Sequence, residues 1–289
     1  MESVNYVKYN ESVNFLESPH PLFKVGASLS PYAGCSMGCV YCPFGFEKKI
    51  GVKTDFLYNL DRKLSGSVCE VHLGLGAACE PYCEREKEFN ITRNSVELIA
   101  KYGFPLQIFT KSPLVLRDID IFKPYSERGL LAVSISVMSL DDAVNDIFEP
   151  AAAPCEERAA LIRELNANEV FAGAVLSPII PYITDSEGQL DETFDRLKRS
   201  GAQYILPSVL SAGSPAAFNN LKEKVLERYP NIYHRIDKLY ENSRFPAPTY
   251  TARINDLLES LSLKYGIPLS IPTEKDETLP QGIRQELLK

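Results

Sequence analysis

Apolar runs and helix-period stretches alternate through the middle of the chain. Phe23–Leu29 reads as a strand and Thr54–Leu64 as a helix; Glu70–Leu75 is the next strand and Arg93–Tyr102 the next helix. Leu106–Thr110 is strand-like, and Leu114–Ile121 is short and helical. Leu130–Val137 is the clearest buried strand, because its apolar residues continue on both faces, as a parallel sheet covered by helices requires. Cys155–Leu165 follows as a helix, with Pro154 pre-setting φ near its start. Phe171–Leu176 is a further strand, Leu190–Arg199 a helix closed by Gly201, and Tyr204–Pro207 a sixth strand. Six strand–helix alternations imply parallel βα units joined by right-handed crossovers. The expected fold is α/β, a partial (β/α)6 TIM-type barrel with a mainly helical C-terminal extension.

The expected organisation is an N-terminal extension over 1–22, a core over 23–210 and a cap over 211–289. The first segment reads as irregular, since Ser18-Pro19-His20-Pro21 resists regular structure. In the last, helices are expected at Ala217–Tyr229 and Tyr250–Lys264.

Composition narrows the setting. No run of the 289 residues approaches the roughly 20 apolar residues of a membrane span, so no membrane association is expected. The start, Met1-Glu2-Ser3-Val4-Asn5-Tyr6, lacks the basic and apolar regions of a signal peptide. A cytoplasmic location is expected, where seven reduced cysteines are free for metal or redox work, with disulfide pairing as the alternative. A net charge of −7 argues against broad electrostatic capture of nucleic acid, though a local basic cleft escapes that count.

The chemistry concentrates in Gly34-Cys35-Ser36-Met37-Gly38-Cys39-Val40-Tyr41-Cys42, a C-x3-C-x2-C run after the first strand. Three thiolates can hold a [4Fe-4S] cube and leave one iron without a protein ligand, whereas structural metal sites are normally closed by a fourth. A zinc site, or a cluster closed by a fourth protein ligand for electron transfer, are the alternatives. His20 reads as a loop residue and His72 as a strand residue, neither with ligand spacing. Other reactive side chains fall where βα architectures place functional loops, at the C-terminal ends of strands. They include Cys79, Glu80, Tyr82 and Cys83 after strand two, Thr110-Lys111-Ser112 after strand three, and Ser134 and Ser136 on one face of strand four.

With the cysteine run, this arrangement resembles the radical S-adenosylmethionine (SAM) superfamily. From Ser28 to about Leu210 it is similar to the spore photoproduct lyase family and its broader relatives, some of them DNA-repair photolyase-like. The matching phrases include Ser30-Pro31-Tyr32-Ala33-Gly34-Cys35, Pro81-Tyr82, Glu86, Thr92-Arg93 and Thr110-Lys111-Ser112. They continue through Arg117-Asp118-Ile119-Asp120, Ser134-Ile135-Ser136, Glu149-Pro150, Glu157-Arg158 and Ser177-Pro178-Ile179-Ile180-Pro181.

The resemblance implies a barrel of the radical SAM kind and two cofactors, a [4Fe-4S] cluster on Cys35, Cys39 and Cys42 and SAM on the open iron. It also implies a low-potential electron donor such as flavodoxin or ferredoxin. Reductive cleavage of SAM would give methionine and a 5′-deoxyadenosyl radical that removes a substrate hydrogen. Tyr41 fills the aromatic position before the third cysteine. Lys111 would pair with the SAM carboxylate, Ser134 and Ser136 would lie near its polar groups, and Gly74 and Gly76 would let it approach or relieve crowding. Arg158 would contact SAM or brace Glu149. Ala77-Ala78-Cys79 resembles the lyase phrase whose cysteine returns hydrogen to the product radical, which makes Cys79 a candidate donor with Tyr82 or Cys83 as relay. Wider relatives carry a Thr-Asp-Pro-Tyr-Gln-Pro phrase there, so Cys79 and Cys83 are departures, and Cys79, Cys83 and Cys155 together would suit an auxiliary cluster. Cys69, early in its strand, lies too far away to join them.

The leading expectation is therefore a radical SAM enzyme, with lyase as its candidate subclass, acting on an unidentified substrate. A spore photoproduct lyase-like nucleic-acid repair enzyme, a peptide or small-molecule modifying enzyme and a non-enzymatic iron–sulfur electron-transfer protein are the alternatives.

Overall fold

Period-two alternation along six strands decides how the chain is layered. The structure is a computed structural model that describes residues 4–8, 12–20, 22–44, 49–67 and 71–272. The strands are β1 (Asn5–Val7), β2 (Val13–Phe15), β3 (Ala27–Leu29), β4 (Tyr32–Ala33), β5 (Gly51–Lys53), β6 (Leu73–Leu75), β7 (Leu106–Thr110), β8 (Leu131–Ser136), β9 (Ala172–Ile179) and β10 (Ile205–Val209). The helices are α1 (Phe56–Ser65), α2 (Glu86–Phe89), α3 (Ile91–Tyr102), α4 (Ile119–Ser126), α5 (Asp142–Phe148), α6 (Cys155–Ala167), α7 (Glu187–Arg199), α8 (Pro215–Arg228), α9 (Pro230–Leu239) and α10 (Pro248–Tyr265). A 3-10 turn, Pro113–Asp118, leads into α4.

The main sheet runs β2-β3-β6-β7-β8-β9-β10. From β3 to β10 every neighbouring pair is parallel, and only β2 is antiparallel, on β3. Leu73 and Leu75, Leu106 and Ile108, Val133 and Ile135, and Ala172, Ala174 and Leu176 face the helices, packing with residues such as Leu60, Val96, Phe122, Ile162, Phe194 and Ile254. The opposite phase points to the other face, where Val25, Phe109, Ala132, Val175, Tyr204 and Leu206 pack with Leu22, Phe23, Phe171 and Ile271. Both faces of the central strands are thus covered, which explains their near-continuous apolar sequence. Among the described residues no helix is long and apolar enough to cross a membrane.

Several elements differ from the sequence reading. Residues 1–22, expected to be irregular, contain β1 and β2; their partners are β5 and β3, so the pairing comes from distant segments that a local pattern does not show. The first core strand begins at Ala27 rather than Phe23, because Lys24 takes a left-handed φ of 59° and the His20 Nδ1 accepts from the Leu22 and Phe23 amides. Helix α5 is unforeseen; the Asp141 carboxylate accepts from the Ala143 amide at its start. So is α9, which restarts at Pro230 directly after α8. Beyond 211, α10 buries Tyr250, Ile254, Leu258 and Leu261 in the main core. Helices α8 and α9 build a separate cluster with Met138, Val144, Phe148, Ile180, Ile183 and Leu210.

Candidate functional site

The cysteine run forms a loop pressed onto the turn that follows α5. Gly34 and Gly38 adopt φ values of 75° and 66°, which glycine reaches without strain. The Val40 amide donates to the Phe148 carbonyl at 3.0 Å and the Ala151 amide to the Met37 carbonyl at 3.3 Å. Inside the loop the Cys42 amide donates to the Cys39 carbonyl at 3.1 Å. Tyr41 donates its hydroxyl to the Glu149 carboxylate, and Val40 and Tyr41 pack against the α8–α9 cluster. Burial, then the neighbouring carboxylate, pushes the Tyr41 phenol well above its ordinary range.

Glu149 is the centre of charge here. Arg158, fully buried on α6, donates through Nη1 to Glu149 Oε2 at 2.6 Å and to the Ser136 carbonyl at 3.0 Å. The Lys111 Nζ lies 3.6 Å from Glu149 Oε1. Burial opposes both charges, but each outweighs it for the other: the Glu149 carboxyl is held below its usual range by Lys111 and Arg158, and the Lys111 ammonium above its own by Glu149 and Cys39. Burial pushes the Cys39 thiol up to about 11, Lys111 opposes that shift, and the Glu149, Cys42 and Cys35 charges add to it. Of the two roles the sequence left open for Arg158, bracing Glu149 is a direct contact.

The loop after β6 is locked from beneath. Glu80 is buried and accepts from the Thr110 hydroxyl, the Lys111 amide at 2.9 Å and the Tyr82 amide at 3.0 Å, fixing the backbone that carries Lys111. The Tyr82 hydroxyl, buried, donates to Asp118 Oδ2 at 3.1 Å. Asp118 and Glu86 are fully buried and shared by Arg117, while Arg93 reaches Asp118 and Asp120. Tyr32 donates to Glu86 at 2.5 Å, and the Thr92 and Arg93 amides at the start of α3 donate to the same carboxylate. Cys79 donates its thiol to the Tyr32 carbonyl at 3.2 Å, and Cys83 is buried nearby. Burial raises the Cys79 thiol to about 11, against a Ser30 hydrogen bond and the Lys53 charge, and the Cys83 thiol to about 12.

Gly74 in β6 and Gly76 just beyond its end are crowded rather than open. A Cβ on Gly74 would meet the Val25 side chain at 3.2 Å, and one on Gly76 would lie 2.2 Å from the Phe109 carbonyl. Ser134 and Ser136 share the face turned away from the helices, as their phase predicts. Ser134 is buried and engaged by Gln107 Nε2 at 2.9 Å and the Tyr204 hydroxyl at 2.8 Å; Ser136 is partly exposed, one register further toward the strand end. Cys155 stands apart at the start of α6, its thiol donating to the Leu140 carbonyl at 2.9 Å. Cys69 lies outside the described residues.

Sequence reasoning left three residues without a site role of their own. Glu80 stood only among the reactive groups of its loop and Glu149 only as what Arg158 would brace, although a buried carboxylate needs partners and each has several. Lys53 gave no sequence signal: it is buried, donates to the Ser30 carbonyl at 2.8 Å and carries a pKa lowered by burial.

The donor set fits an iron–sulfur cube. Three thiols on one short loop bear on one another electrostatically, and the Lys111 ammonium beside Cys39 offsets the negative charge that thiolates bring. Among the described residues no three His, Cys, Asp or Glu side chains gather round one ion-sized point. A cube takes one thiolate per iron and so needs neighbouring, not converging, sulfurs.

No family model matches the chain. An uncharacterized protein of Mycobacterium tuberculosis (strain ATCC 25618 / H37Rv) is 23% identical over 253 residues, spanning 82% of this chain and 74% of its own length. An uncharacterized protein of Methanocaldococcus jannaschii is 30% identical over 171 residues, 57% of this chain and 64% of that one. Among solved structures, a spore photoproduct lyase variant with bound AdoMet and dinucleoside spore photoproduct superposes with a TM-score of 0.63 at 17% identity, covering 86% of this chain and 77% of that one. Spore photoproduct lyase complexed with dinucleoside spore photoproduct gives 0.62, also at 17% identity, covering 87% of this chain and 77% of that one. The chain therefore shares its α/β fold with spore photoproduct lyase.

Proposed function

We propose that this chain is a radical SAM enzyme built on a partial six-stranded barrel. The observation that carries the reading is the meeting of the C-x3-C-x2-C loop with Lys111 and Glu149 at the C-terminal ends of parallel strands. Cys35, Cys39 and Cys42 are the residues that would hold a [4Fe-4S] cluster, and three thiolates would leave one of its irons to SAM. When bound, cluster and SAM supply one-electron reductive cleavage and hydrogen abstraction, fed by a low-potential donor such as flavodoxin or ferredoxin.

The chain's own residues orient and shield that chemistry. The Lys111 ammonium, a compact charge with three donors, would meet the SAM carboxylate, with Ser136 on the neighbouring strand beside it. Cys79 is the candidate hydrogen donor, because burial keeps its sulfur as the S–H form that such a donor requires. Tyr82, its hydroxyl committed to Asp118, serves by holding the Cys79–Cys83 segment in place.

Anaerobic reconstitution tests the reading. About four irons per chain are expected, with 5′-deoxyadenosine formed from SAM under strong reduction and lost when any of Cys35, Cys39 or Cys42 becomes Ala. Protein that takes up no cluster, or holds one and leaves SAM intact, refutes it.

A further inference from the structure

We infer that Glu149 is a positioning residue for SAM: its carboxylate fixes the Lys111 ammonium beside Cys39 and fastens the cysteine loop through Tyr41. The inference rests on the radical SAM reading above and assigns to that site a residue outside its ligand set.

Three separate segments meet on this one side chain. Tyr41 comes from the cysteine loop, Lys111 from the end of β7, and Arg158 from α6, which also holds the Ser136 carbonyl at the end of β8. The Glu149 and Arg158 side chains are fully buried, so water does little to shield the contact between them. Arg158 lies close enough to disfavour the Lys111 charge, and the carboxylate that both cations contact offsets that repulsion. Arg158 leans on this carboxylate: Glu149 is the one it bonds, while its buried Nε and Nη2 have no hydrogen-bond partner among the described residues.

The backbone around Glu149 separates its charge from the fold. The Val40–Phe148 and Ala151–Met37 hydrogen bonds clip the cysteine loop on either side of residue 149 and do not involve its side chain. Glu149→Gln keeps the shape and the Tyr41 acceptor while deleting the charge. The loop then stays docked, but Lys111 is left facing Arg158 and turns away from the site. A base is not needed for hydrogen-atom transfer, and the buried carboxylate has no open side from which to act as one.

A double-mutant cycle decides the matter. Wild type, Glu149→Gln, Lys111→Met and the double variant are reconstituted anaerobically. Iron content, SAM affinity by equilibrium binding, and the electron paramagnetic resonance signal of the reduced cluster with and without SAM are measured. Glu149→Gln is expected to keep its iron yet bind SAM about tenfold more weakly. Its spectral response to SAM should saturate at correspondingly higher concentration. In the Lys111→Met background the Glu149 change is expected to add almost nothing, because its effect runs through that ammonium. Wild-type SAM affinity in Glu149→Gln, or losses that simply add in the double variant, overturns the inference. Should Glu149→Gln fail to retain iron, Glu149→Asp takes its place: it keeps the charge but withdraws it from Lys111, so SAM binding should weaken in the wild-type background and not in Lys111→Met, and unchanged affinity overturns the inference. A wild-type protein that holds a cluster but binds no SAM sinks the underlying reading instead, so the two failures are distinct.

Discussion

Replacing Gly76 with Ala is a direct measure of what the glycines in and just after β6 do. At Gly76 the backbone φ is +92°, and an added Cβ falls 2.2 Å from the Phe109 carbonyl and 2.8 Å from Pro81 Cδ. The left-handed backbone costs a non-glycine residue about 1–2 kcal/mol. The clash adds about 1–3 kcal/mol of overpacking. It is with backbone: Phe109 sits in the β7 ladder opposite Ser134 and cannot retreat without disturbing β8. Gly74→Ala is the control. Its Cβ meets only the Val25 side chain, at 3.2 Å and beyond, so a small rotation absorbs it at a cost within about 1 kcal/mol. In urea unfolding of the iron-free proteins, with slopes near 2–3 kcal/mol per molar, the Gly76 variant should lose about 1–2 M in midpoint. The Gly74 variant should lose less than about 0.5 M at unchanged slope. Equal midpoints for the two variants would refute the crowding argument and return Gly76 to a role in ligand approach.

Two further outcomes follow from the charged groups. The Glu149 carboxyl has a depressed folded-state pKa, so its stabilisation is complete above the unfolded value of about 4.3 and is lost as pH falls through the lower folded value. Midpoints measured from pH 6 downward should therefore drop more steeply for wild type than for Glu149→Gln, and parallel curves would contradict the assignment. In a variant with Cys35, Cys39 and Cys42 replaced by Ala, the Cys79 thiol, pushed up to about 11 by burial, should react with iodoacetamide at pH 8 about a hundredfold more slowly than free cysteine. Labelling of the Cys79 peptide at the free-thiol rate, read by mass spectrometry, would count against a buried thiol.

The parallel core was legible because its signal is local. Leu106–Thr110 coincides with β7, and the span from Leu130 to Val137 contains β8, since residues covered on both faces announce themselves as apolar runs. The edges were not legible. Strands β1 and β2 are three residues long, too short for a period, and exist because β5 and β3 offer partners. At the site, spacing alone marked Cys35, Cys39 and Cys42 as a unit. Nothing in the sequence joins Glu149 to Tyr41 across more than a hundred positions, or Lys53 to Ser30. Those contacts are products of the fold, and only the backbone path brings them together.

The face of the sheet turned away from the helices has a consequence for traffic. Phe23, Val25, Phe109, Ala132, Tyr204 and Leu206 fill it beside the Gln107–Ser134–Tyr204 hydrogen bonds, below the strand ends that carry the site. Among the described residues, that packing lays an apolar floor beneath the strand ends. On the proposed function a reactant meeting this floor would leave by the way it came, so a departing product would clear the doorway before the next arrived. The same floor would keep water from approaching from beneath, leaving a short-lived radical fewer directions to guard.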